Sequence, residues 1–376
     1  MSSRRFDAIV IGGGLHGLSA ALHLAREGQS VLVLERSWIG RHASGASAAG
    51  VRTLGRDIAE LPISLEAKRM WHAIEELVGD SCGFHAHGQV RVAETDDGAA
   101  RLAQRVQQTE KLGFRHEELI DGRELRRLVP ALSPHCRAAI VVRDDGAADP
   151  HRTLRAFRRA AEGLGVVIAE GEGVQAIEPR SGGWSVATAT SCYEAASLVN
   201  VAGAWAAEIA AMVGDDIPIG TKASMMMVTE RVGRFIEPVV TVIGRNLSFK
   251  QTDVGTILIG GGLQGRYDLT AETATVDLLQ LARGARAASE LFPAVRNVPI
   301  ARTWAGLEAK TADLLAVVGP SPRAANVVHA FGFSGHGFQL VPVVGAIVAD
   351  LIIRGRTDRQ IEGLSPRRLM AHPLAA

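Results

Sequence analysis

Apolar and polar positions along this chain fall into blocks whose periods predict alternating strands and helices. Near the N-terminus a short apolar run, 8–11, is followed by a helical apolar pattern at 18–25 and a second apolar run at 31–34. Short continuous apolar runs are typical of strands buried on both faces, whereas spacings of three and four are typical of an amphipathic helix. The first 36 residues therefore predict a β-α-β unit.

The same patterns predict further elements along the whole chain. Helices are predicted at 58–78, 98–112, 121–128, 151–163, 270–292 and 340–354, strands at 166–169, 174–177, 184–188, 225–229, 239–243, 256–259, 315–318 and 327–330, and a strand followed by a helix within 196–210. The short strands between 222 and 262 indicate an antiparallel sheet. We predict an α/β protein with a Rossmann-like domain formed by 1–87, 149–220 and 300–376, and a second domain inserted as 88–148 and 221–299.

Composition excludes several classes of protein. The net charge is +1 and no long basic or acidic block occurs, so neither nucleic acid nor an anionic membrane is an expected partner. The three cysteines, Cys82, Cys136 and Cys192, are isolated, and no metal-ligand spacing is present. The longest later apolar segment, 340–353, is too short to span a bilayer. We expect a cytoplasmic protein without a metal ion or a transmembrane segment.

The turn after the first predicted strand carries the clearest chemical signal. Residues 12–17 read Gly-Gly-Gly-Leu-His-Gly, a G-x-G-x-x-G placed between strand and helix. In such a turn Gly12 permits the tight bend, Gly14 lets backbone N–H groups approach a pyrophosphate, and Gly17 lets helix and strand pack closely. The helix N-terminus attracts the phosphate charge, and Glu35 is placed to accept hydrogen bonds from a ribose. These features predict a dinucleotide site.

Four segments together resemble the flavoprotein family of D-amino-acid, glycine and sarcosine oxidases. They are 10–17 with Glu35, 43–50, 198–206 and 302–345, and the resemblance runs nearly from end to end. The turn Phe-Ser-Gly-His-Gly-Phe at 333–338 is similar to the sarcosine-oxidase turn beside the flavin ring. The resemblance implies FAD rather than a nicotinamide. It also implies a glutathione-reductase-like FAD domain with an inserted antiparallel-sheet substrate domain.

The resemblance implies an FAD site drawn from distant parts of the chain. The implied cofactor-binding residues are Gly12, Gly14, His16, Gly17, Glu35, Arg36, Ser44, Ser47, Ala49, Gly50, Val174, Ala202, Gly203, Trp205, Gly306, Gly332, Ser334, Gly335, His336, Gly337, Phe338 and Gln339. Monomeric sarcosine oxidases bond their flavin covalently through a cysteine whose position here is Gly306. We therefore expect noncovalent FAD.

The family chemistry is the oxidation of a C–N bond. Hydride leaves the carbon next to the amine for flavin N5, and the imine product hydrolyses. The segment 335–339, ahead of the last helix, is placed to stabilise the resulting negative charge on the flavin, although it also fits a simple Gly-rich helix start.

Arg52, Arg56, His336 and Gln339 are the candidate catalytic residues. An arginine is needed for the substrate carboxylate, but either arginine also fits an ordinary surface residue. His42 and His336 are the histidines expected near the flavin. We interpret Lys222 and Lys250 as surface lysines.

Two departures from the family pattern bear on the reaction. Gln339 stands where sarcosine oxidases have a carboxylate-binding lysine, and the strand 256–259 lacks their oxygen-activating lysine. We therefore predict an FAD-dependent dehydrogenase of a secondary or D-amino acid, of proline, hydroxyproline, opine or sarcosine type, working with partner subunits or another electron acceptor. The alternatives are a glycine- or sarcosine-type oxidase, an FAD-binding electron-transfer or assembly subunit, and an RNA-modifying flavoprotein. The lack of a basic extension counts against the last.

Overall fold

The computed structural model describes residues 4–370, so the ends of the predicted first domain, 1–3 and 371–376, lie outside the described residues. The strands, in chain order, are β1 Arg4–Ile11, β2 Val31–Glu35, β3 Gly50–Val51, β4 Gln89–Ala93, β5 Glu118–Asp121, β6 Ala138–Val142, β7 Gly146–Ala147, β8 Val167–Glu170, β9 Val174–Arg180, β10 Gly183–Thr188, β11 Cys192–Asn200, β12 Gly220–Thr229, β13 Val239–Val242, β14 Ser248–Gln251, β15 Ile257–Gly260, β16 Arg266–Asp268, β17 Thr273–Thr275, β18 Ile300–Lys310, β19 Val317–Pro320 and β20 Val327–Phe331.

The helices are α1 Leu15–Arg26, α2 Leu61–His72, α3 Ile74–Val78, α4 Asp96–Lys111, α5 Gly122–Leu128, α6 Pro150–Gly163, α7 Ala206–Met212, α8 Leu278–Leu291, α9 Gly337–Arg354 and α10 Arg367–Met370. Short 3₁₀ helices lie at Gly203–Trp205, Pro293–Val295 and Glu362–Leu364.

The first sheet has the order β19-β20-β11-β1-β2-β8, with the hairpin of β9 and β10 joined to β11. β1 is parallel to both β2 and β11, and Ile11 is paired with Leu34 and Asn200. The apolar residues of β1 are buried because α1, α6 and α9 cover one face and α7 the other. The carboxyl ends of β1, β2 and β11 therefore meet at one edge of the sheet, where α/β proteins bind their ligands.

The second sheet has the order β18-β12-β15-β14-β13-β4-β6-β5 and is antiparallel except where β13 and β4 pair in parallel. One face packs against α5 and α8 around Phe249 and Phe292, whose rings stack at 4.1 Å. The opposite face is more polar and looks toward the carboxyl edge of the first sheet. The prediction of an α/β fold with an added antiparallel sheet is confirmed.

Several predicted boundaries are wrong. The strand β18 belongs to the second sheet, where it pairs with β12, although the predicted boundary at 300 assigns it to the first domain. The helix predicted at 270–292 begins only at Leu278, because the side chain of Asp277 caps it by accepting from Gln280 N, and β17 occupies the residues before it. The helix predicted at 58–78 is two helices, α2 and α3.

The last helix, α9, begins at Gly337 rather than at 340 and runs through the core of the first domain. Within residues 4–370 it is the one helix long and apolar enough to cross a bilayer, but most of it is buried against the rest of the protein. Packing against α1 and α2 explains its apolar composition.

Candidate functional site

A cleft of about 630 Å³ lies between the carboxyl edge of the first sheet and the polar face of the second. The turn between β1 and α1 forms its floor. Gly12 has φ +118°, and a Cβ there would lie 2.5 Å from the carbonyl oxygen of Val201, so only glycine fits. A Cβ on Gly17 would collide with the carbonyl oxygen of Gly12. Gly17 therefore serves close helix–strand packing and does not itself line the cleft.

The turn is ready to bind an anionic group. Gly14 precedes α1 and provides no capping side chain, and Ser44 accepts a hydrogen bond from Leu15 N at 3.0 Å. The remaining N–H groups of the first turn and the helix dipole favour negative charge at this point. Glu35 accepts hydrogen bonds from Gly13 N at 2.7 Å and Ser37 N at 2.9 Å. Burial raises the pKa of its carboxyl, while these two N–H groups oppose the rise.

A polar and aromatic cluster closes the end of the cleft beyond Glu35. The guanidinium of Arg36 lies 4.7 Å from the ring centre of Trp205, and its Nε lies 2.9 Å from Oε1 of Glu272. His42 also contacts Trp205, with 4.7 Å between ring centres, and its Nε2 lies 3.5 Å from Oε2 of Glu272. No sequence motif marks Glu272, which lies between β16 and β17, far along the chain from Arg36 and His42.

His16 lines the cleft with an uncharged ring. Its ring stacks on Phe333 with 3.7 Å between centres and 4° between planes, and within residues 4–370 neither ring nitrogen has a side-chain partner. Burial lowers the pKa of His16 to about 3. A ring held flat and uncharged in this way suits contact with another planar group.

The turn 332–338 leads into α9 along the far wall of the cleft. Ser334 has φ +54°, and its hydroxyl donates to the carbonyl of Gly332 at 3.0 Å while accepting from Thr311 N at 3.2 Å. Gly335 has φ +98°. α9 begins at Gly337 without a side-chain cap, so the first N–H groups of this long helix are available to a ligand.

Arg56 and His336 form a buried network behind this turn. Nε of Arg56 donates to the carbonyl of Arg52 at 2.9 Å, and its Nη2 donates to the carbonyl of His336 at 3.3 Å. Burial, with repulsion from Arg52, lowers the pKa of Arg56 to about 9. Nδ1 of His336 lies 3.2 Å from Oε2 of Glu60. Burial and the charge of Arg56 lower the pKa of His336 to about 4, so it is neutral at pH 7.

The second sheet contributes charged residues that the sequence analysis did not place in the site. Arg91 on β4 lines the cleft, and burial lowers the pKa of its guanidinium. Lys222 on β12 pairs with Glu308 on β18, with 3.2 Å between Nζ and Oε2. Lys222 also lies at the turn 332–338, since a Cβ on Gly335 would be 3.2 Å from Nζ. Interpreting Lys222 as a surface lysine was therefore wrong.

Most of the residues chosen from sequence line this one cleft. They are Gly12, Gly14, His16, Glu35, Arg36, Ser44, Ser47, Ala49, Gly50, Arg52, Arg56, Val174, Ala202, Gly203, Trp205, Gly306, Gly332, Ser334, Gly335, His336, Gly337 and Phe338. The structure thus brings together segments separated by most of the chain.

Gln339 is the exception among the candidate catalytic residues. Its side chain is fully buried away from the cleft, and Nε2 donates to the carbonyl of Ser64 at 2.6 Å. The main-chain carbonyl of Gln339 accepts a hydrogen bond from Trp71 Nε1 at 2.7 Å. Because it lies within the first turn of α9, its side chain points toward α2, and the prediction that it contacts substrate and FAD was wrong.

Lys250 is also not a surface lysine. Its Nζ donates to the carbonyl of Ala148 at 3.4 Å, and burial lowers its pKa to about 8. Of the cysteines, Cys82 and Cys136 are buried, and burial raises the pKa of each thiol to about 11. Across residues 4–370 no group of histidine, cysteine, aspartate or glutamate side chains is arranged to hold a metal ion.

A glycine turn and an acidic residue at the carboxyl edge of a parallel sheet define a dinucleotide-binding protein. Residues 7–351 match the family described as DAO, FAD dependent oxidoreductase, and the chain belongs to this family. It is 27% identical to a mitochondrial dimethylglycine dehydrogenase of Rattus norvegicus over 97% of this chain and 45% of the relative. It therefore spans less than half of that protein.

Two further similarities extend over nearly the full length of both partners. A glycine oxidase of Bacillus licheniformis is 26% identical over 93% of this chain and 94% of the relative. The structure of L-proline dehydrogenase from P. horikoshii superposes with a TM-score of 0.91 and 29% identity over 98% of this chain and 99% of that chain. The prediction of the family is confirmed.

Enzymes of this family bind FAD, and the observed cleft fits that cofactor. Glycine is required at position 12 because a Cβ there would meet the backbone of Val201, and a turn without side chains lets a pyrophosphate approach the backbone N–H groups. The free lone pairs of Glu35 face the cleft where a ribose would lie, and His16, Ser47 and the turn 332–338 line the remainder. The volume is within the ~300–1,000 Å³ typical of ligand sites. These residues would hold FAD.

Proposed function

We propose that this protein is an FAD-dependent dehydrogenase that oxidises the C–N bond of a secondary or D-amino acid. The proposal rests on how charged and polar groups are arranged around one cleft. The glycine turn, Glu35 and the start of α9 form one side, while Arg52 and the polar face of the second sheet form the other. A cofactor with a charged pyrophosphate and a small carboxylate substrate fit these two sides.

When bound, FAD supplies the acceptor for hydride from the carbon next to the amine. The chain stabilises the charge that follows. The first N–H groups of α9 lack a side-chain cap and form the positive end of a helix dipole at the turn 332–338. Because His336 is neutral at pH 7, this stabilisation comes from backbone dipoles and not from an imidazolium.

Arg52 is the residue that we assign to the substrate carboxylate. It lines the cleft, and within residues 4–370 its guanidinium has no hydrogen-bond acceptor or ion-pair partner. Arg56 lines the cleft too, but it is only 2% exposed and donates to two carbonyls. We therefore assign Arg56 to holding Arg52 and the turn at His336 in place.

Noncovalent attachment of FAD is supported by the residues around Gly306. Gly306 lines the cleft against Ala46, in the tight space where a side chain would project. Cys82, Cys136 and Cys192 do not line the cleft, so none of the three is placed to form a thioether to a cofactor there.

Preference for an acceptor other than oxygen is supported by the charges near the turn 332–338. β15, Ile257–Gly260, carries no lysine. A lysine from another strand, Lys222 on β12, lies near this turn, and its charge is offset by Glu308 at 3.2 Å. An isolated cation would favour the superoxide that forms when oxygen is reduced, whereas a neutralised pair favours it far less. Two other cations lie near this turn: Arg56, which donates to the carbonyl of His336, and Arg52, which we assign to the substrate carboxylate.

Anaerobic mixing of the purified holoprotein with single amino acids tests the proposal. We expect loss of the flavin absorbance band with N-alkyl or D-amino acids, followed by rapid recovery with an artificial dye and slow recovery in air. Failure of every amine to bleach the flavin would instead favour an electron-transfer subunit. Recovery in air as fast as turnover, with matching hydrogen peroxide, would identify an oxidase.

A further inference from the structure

Two arginines from different elements face the cleft without partners. Arg52 follows β3, and Arg91 lies on β4 of the second sheet. Both line the cleft, and within residues 4–370 neither guanidinium is hydrogen-bonded or ion-paired. Among the other cations that line the cleft, Lys222, Arg245 and Arg36 are paired with carboxylates, Arg56 donates to two carbonyls, and Arg41 lies over the ring of Trp38.

The position of Arg91 follows from the register of β4. Gln89 and Arg91 are two residues apart on one strand and so point to the same face. Nε2 of Gln89 donates to the carbonyls of Val51 and Gly146, which fixes that face toward the segment after β3. Nη1 of Arg91 accordingly reaches Gly55, where a Cβ would lie 2.8 Å from it. Arg91 thus extends from the second sheet to the segment that carries Arg52.

Nearby carboxylates attract these arginines across space but form no hydrogen bond with either guanidinium: Asp145, Glu60 and Glu117 act on Arg52, and Glu117 acts on Arg91. Glu117 pairs with Arg105, with 2.9 Å between Oε2 and Nε. Asp145 accepts from Thr53 N, Thr53 Oγ1 and Leu54 N at 2.7–2.9 Å. The two guanidiniums instead repel each other: after burial, the charge of Arg91 is the largest cause that lowers the pKa of Arg52. An anion that binds between the two guanidiniums would offset this repulsion.

Resting on the proposed function, we propose that the substrate carries two carboxylates, one bound by Arg52 and the other by Arg91. A guanidinium matches one carboxylate in a bidentate manner. A monocarboxylate that pairs with Arg52 leaves the guanidinium of Arg91 without a hydrogen-bonded counter-ion once substrate displaces water. The substrate class is an iminodicarboxylate, a secondary amine whose two alkyl arms each end in a carboxylate.

Two unreactive ligands separate this substrate class from a simple amino acid. Thiodiacetate has two carboxylates around a thioether, and methylthioacetate has one; neither contains an amine that can be oxidised. Each is titrated into the holoprotein, and the dissociation constant is read from the change in flavin absorbance. We expect thiodiacetate to bind at least ~10-fold more tightly than methylthioacetate, as a further charged hydrogen-bonded pair predicts.

The variant Arg91→Met should abolish this preference while leaving methylthioacetate binding unchanged. Arg101→Met is the matched control, because Arg101 is exposed on α4 and adds only repulsion to Arg91; it should keep the preference. Equal binding of the two ligands by the unaltered protein, or equal weakening of both in Arg91→Met, would overturn the dicarboxylate inference alone. Absence of any absorbance change with either ligand, together with no bleaching by any amine, would overturn the proposed function as well.

Discussion

Lys222 and Glu308 stand directly opposite each other on β12 and β18, and their side chains form an ion pair of 3.2 Å at the wall of the cleft. Ser224, two residues along β12, donates to the same carboxylate at 2.9 Å. The pair lies beside Gly335. Replacing either residue of the pair would therefore change the net charge beside Gly335.

Glu308→Gln should speed the reaction of the reduced enzyme with oxygen. The substitution leaves the charge of Lys222 without compensation, and two unit charges ~4 Å apart at an effective dielectric of ~20 interact by about 4 kcal/mol. We expect roughly a tenfold or greater increase in the rate of reoxidation in air-saturated buffer, measured by stopped-flow absorbance. The double variant with Lys222→Met serves as the control and should lose the gain. An unchanged rate of reoxidation in Glu308→Gln would show that this pair does not control the reaction with oxygen.

Gly14→Val should give a folded but colourless protein. The added side chain would enter the space between the β1–α1 turn and Ser44, since a Cβ already lies 3.1 Å from Ser44 Oγ. FAD content is measured from the ratio of absorbance in the flavin band to that of the protein. Gly163→Val is the matched control, because no atom lies within 4 Å of a Cβ at that position. Full FAD content in Gly14→Val would contradict the assignment of the pyrophosphate site.

Arg52→Met should weaken substrate binding, whereas Arg56→Met should lower the stability of the protein. Loss of Arg52 removes a partner of the substrate carboxylate, so we expect the KM to rise by roughly 10- to 100-fold with little change in melting temperature. Loss of Arg56 leaves the carbonyls of Arg52 and His336 without their donor inside the protein, which costs about 1–3 kcal/mol of stability. Steady-state kinetics and thermal unfolding distinguish the two. A large loss of stability in Arg52→Met would identify it as a structural residue.

Acid precipitation should release the flavin into the supernatant. Gly306 has no side chain, and the three cysteines lie outside the cleft lining. The yellow colour is measured in the supernatant and in the washed pellet after trichloroacetic acid treatment. Colour retained in the pellet would show a covalent bond, and His16, His42 and His336, which all line the cleft, would be the residues to examine.

The stability of the protein should fall as the pH is lowered from about 6.5 toward 4, and His23 should contribute to this fall. Burial, with the charges of Arg26 and Arg359, lowers the pKa of His23 to about 4, against the carbonyl of Pro342 and the charge of Asp350. In this pH window the unfolded chain binds a proton at His23 that the folded protein does not, so acid favours unfolding.

We expect a loss of about 2 kcal/mol from His23 at pH 5. His23→Gln should therefore flatten the dependence of unfolding free energy on pH, measured by urea titration at pH 7 and pH 5. His87→Gln, at an exposed position, is the control. A pH dependence in His23→Gln as steep as that of the unaltered protein would exclude His23 as its source.

Local sequence determined the nucleotide-binding half of this protein. The order strand, glycine turn, helix, strand and acidic residue depends on contacts between near neighbours, and Gly12, Gly14 and Gly17 each have a steric reason that can be stated from the motif. Resemblance then identified the turn 332–338 and the segment 43–50, which do line the same cleft. The identity of the family was contained in these segments.

Only the tertiary structure decided which polar side chains face the substrate. Arg91, Lys222 and Glu308 lie on strands of the second sheet, where a shift of one residue in register turns a side chain to the opposite face. Glu272 reaches Arg36 from the separate hairpin of β16 and β17. Gln339 shows the converse: it is next to the cleft in sequence, but its place on the first turn of α9 directs its side chain to Ser64. The pairing of distant strands and the rotation of a helix fix these directions, and neither is encoded in a local pattern.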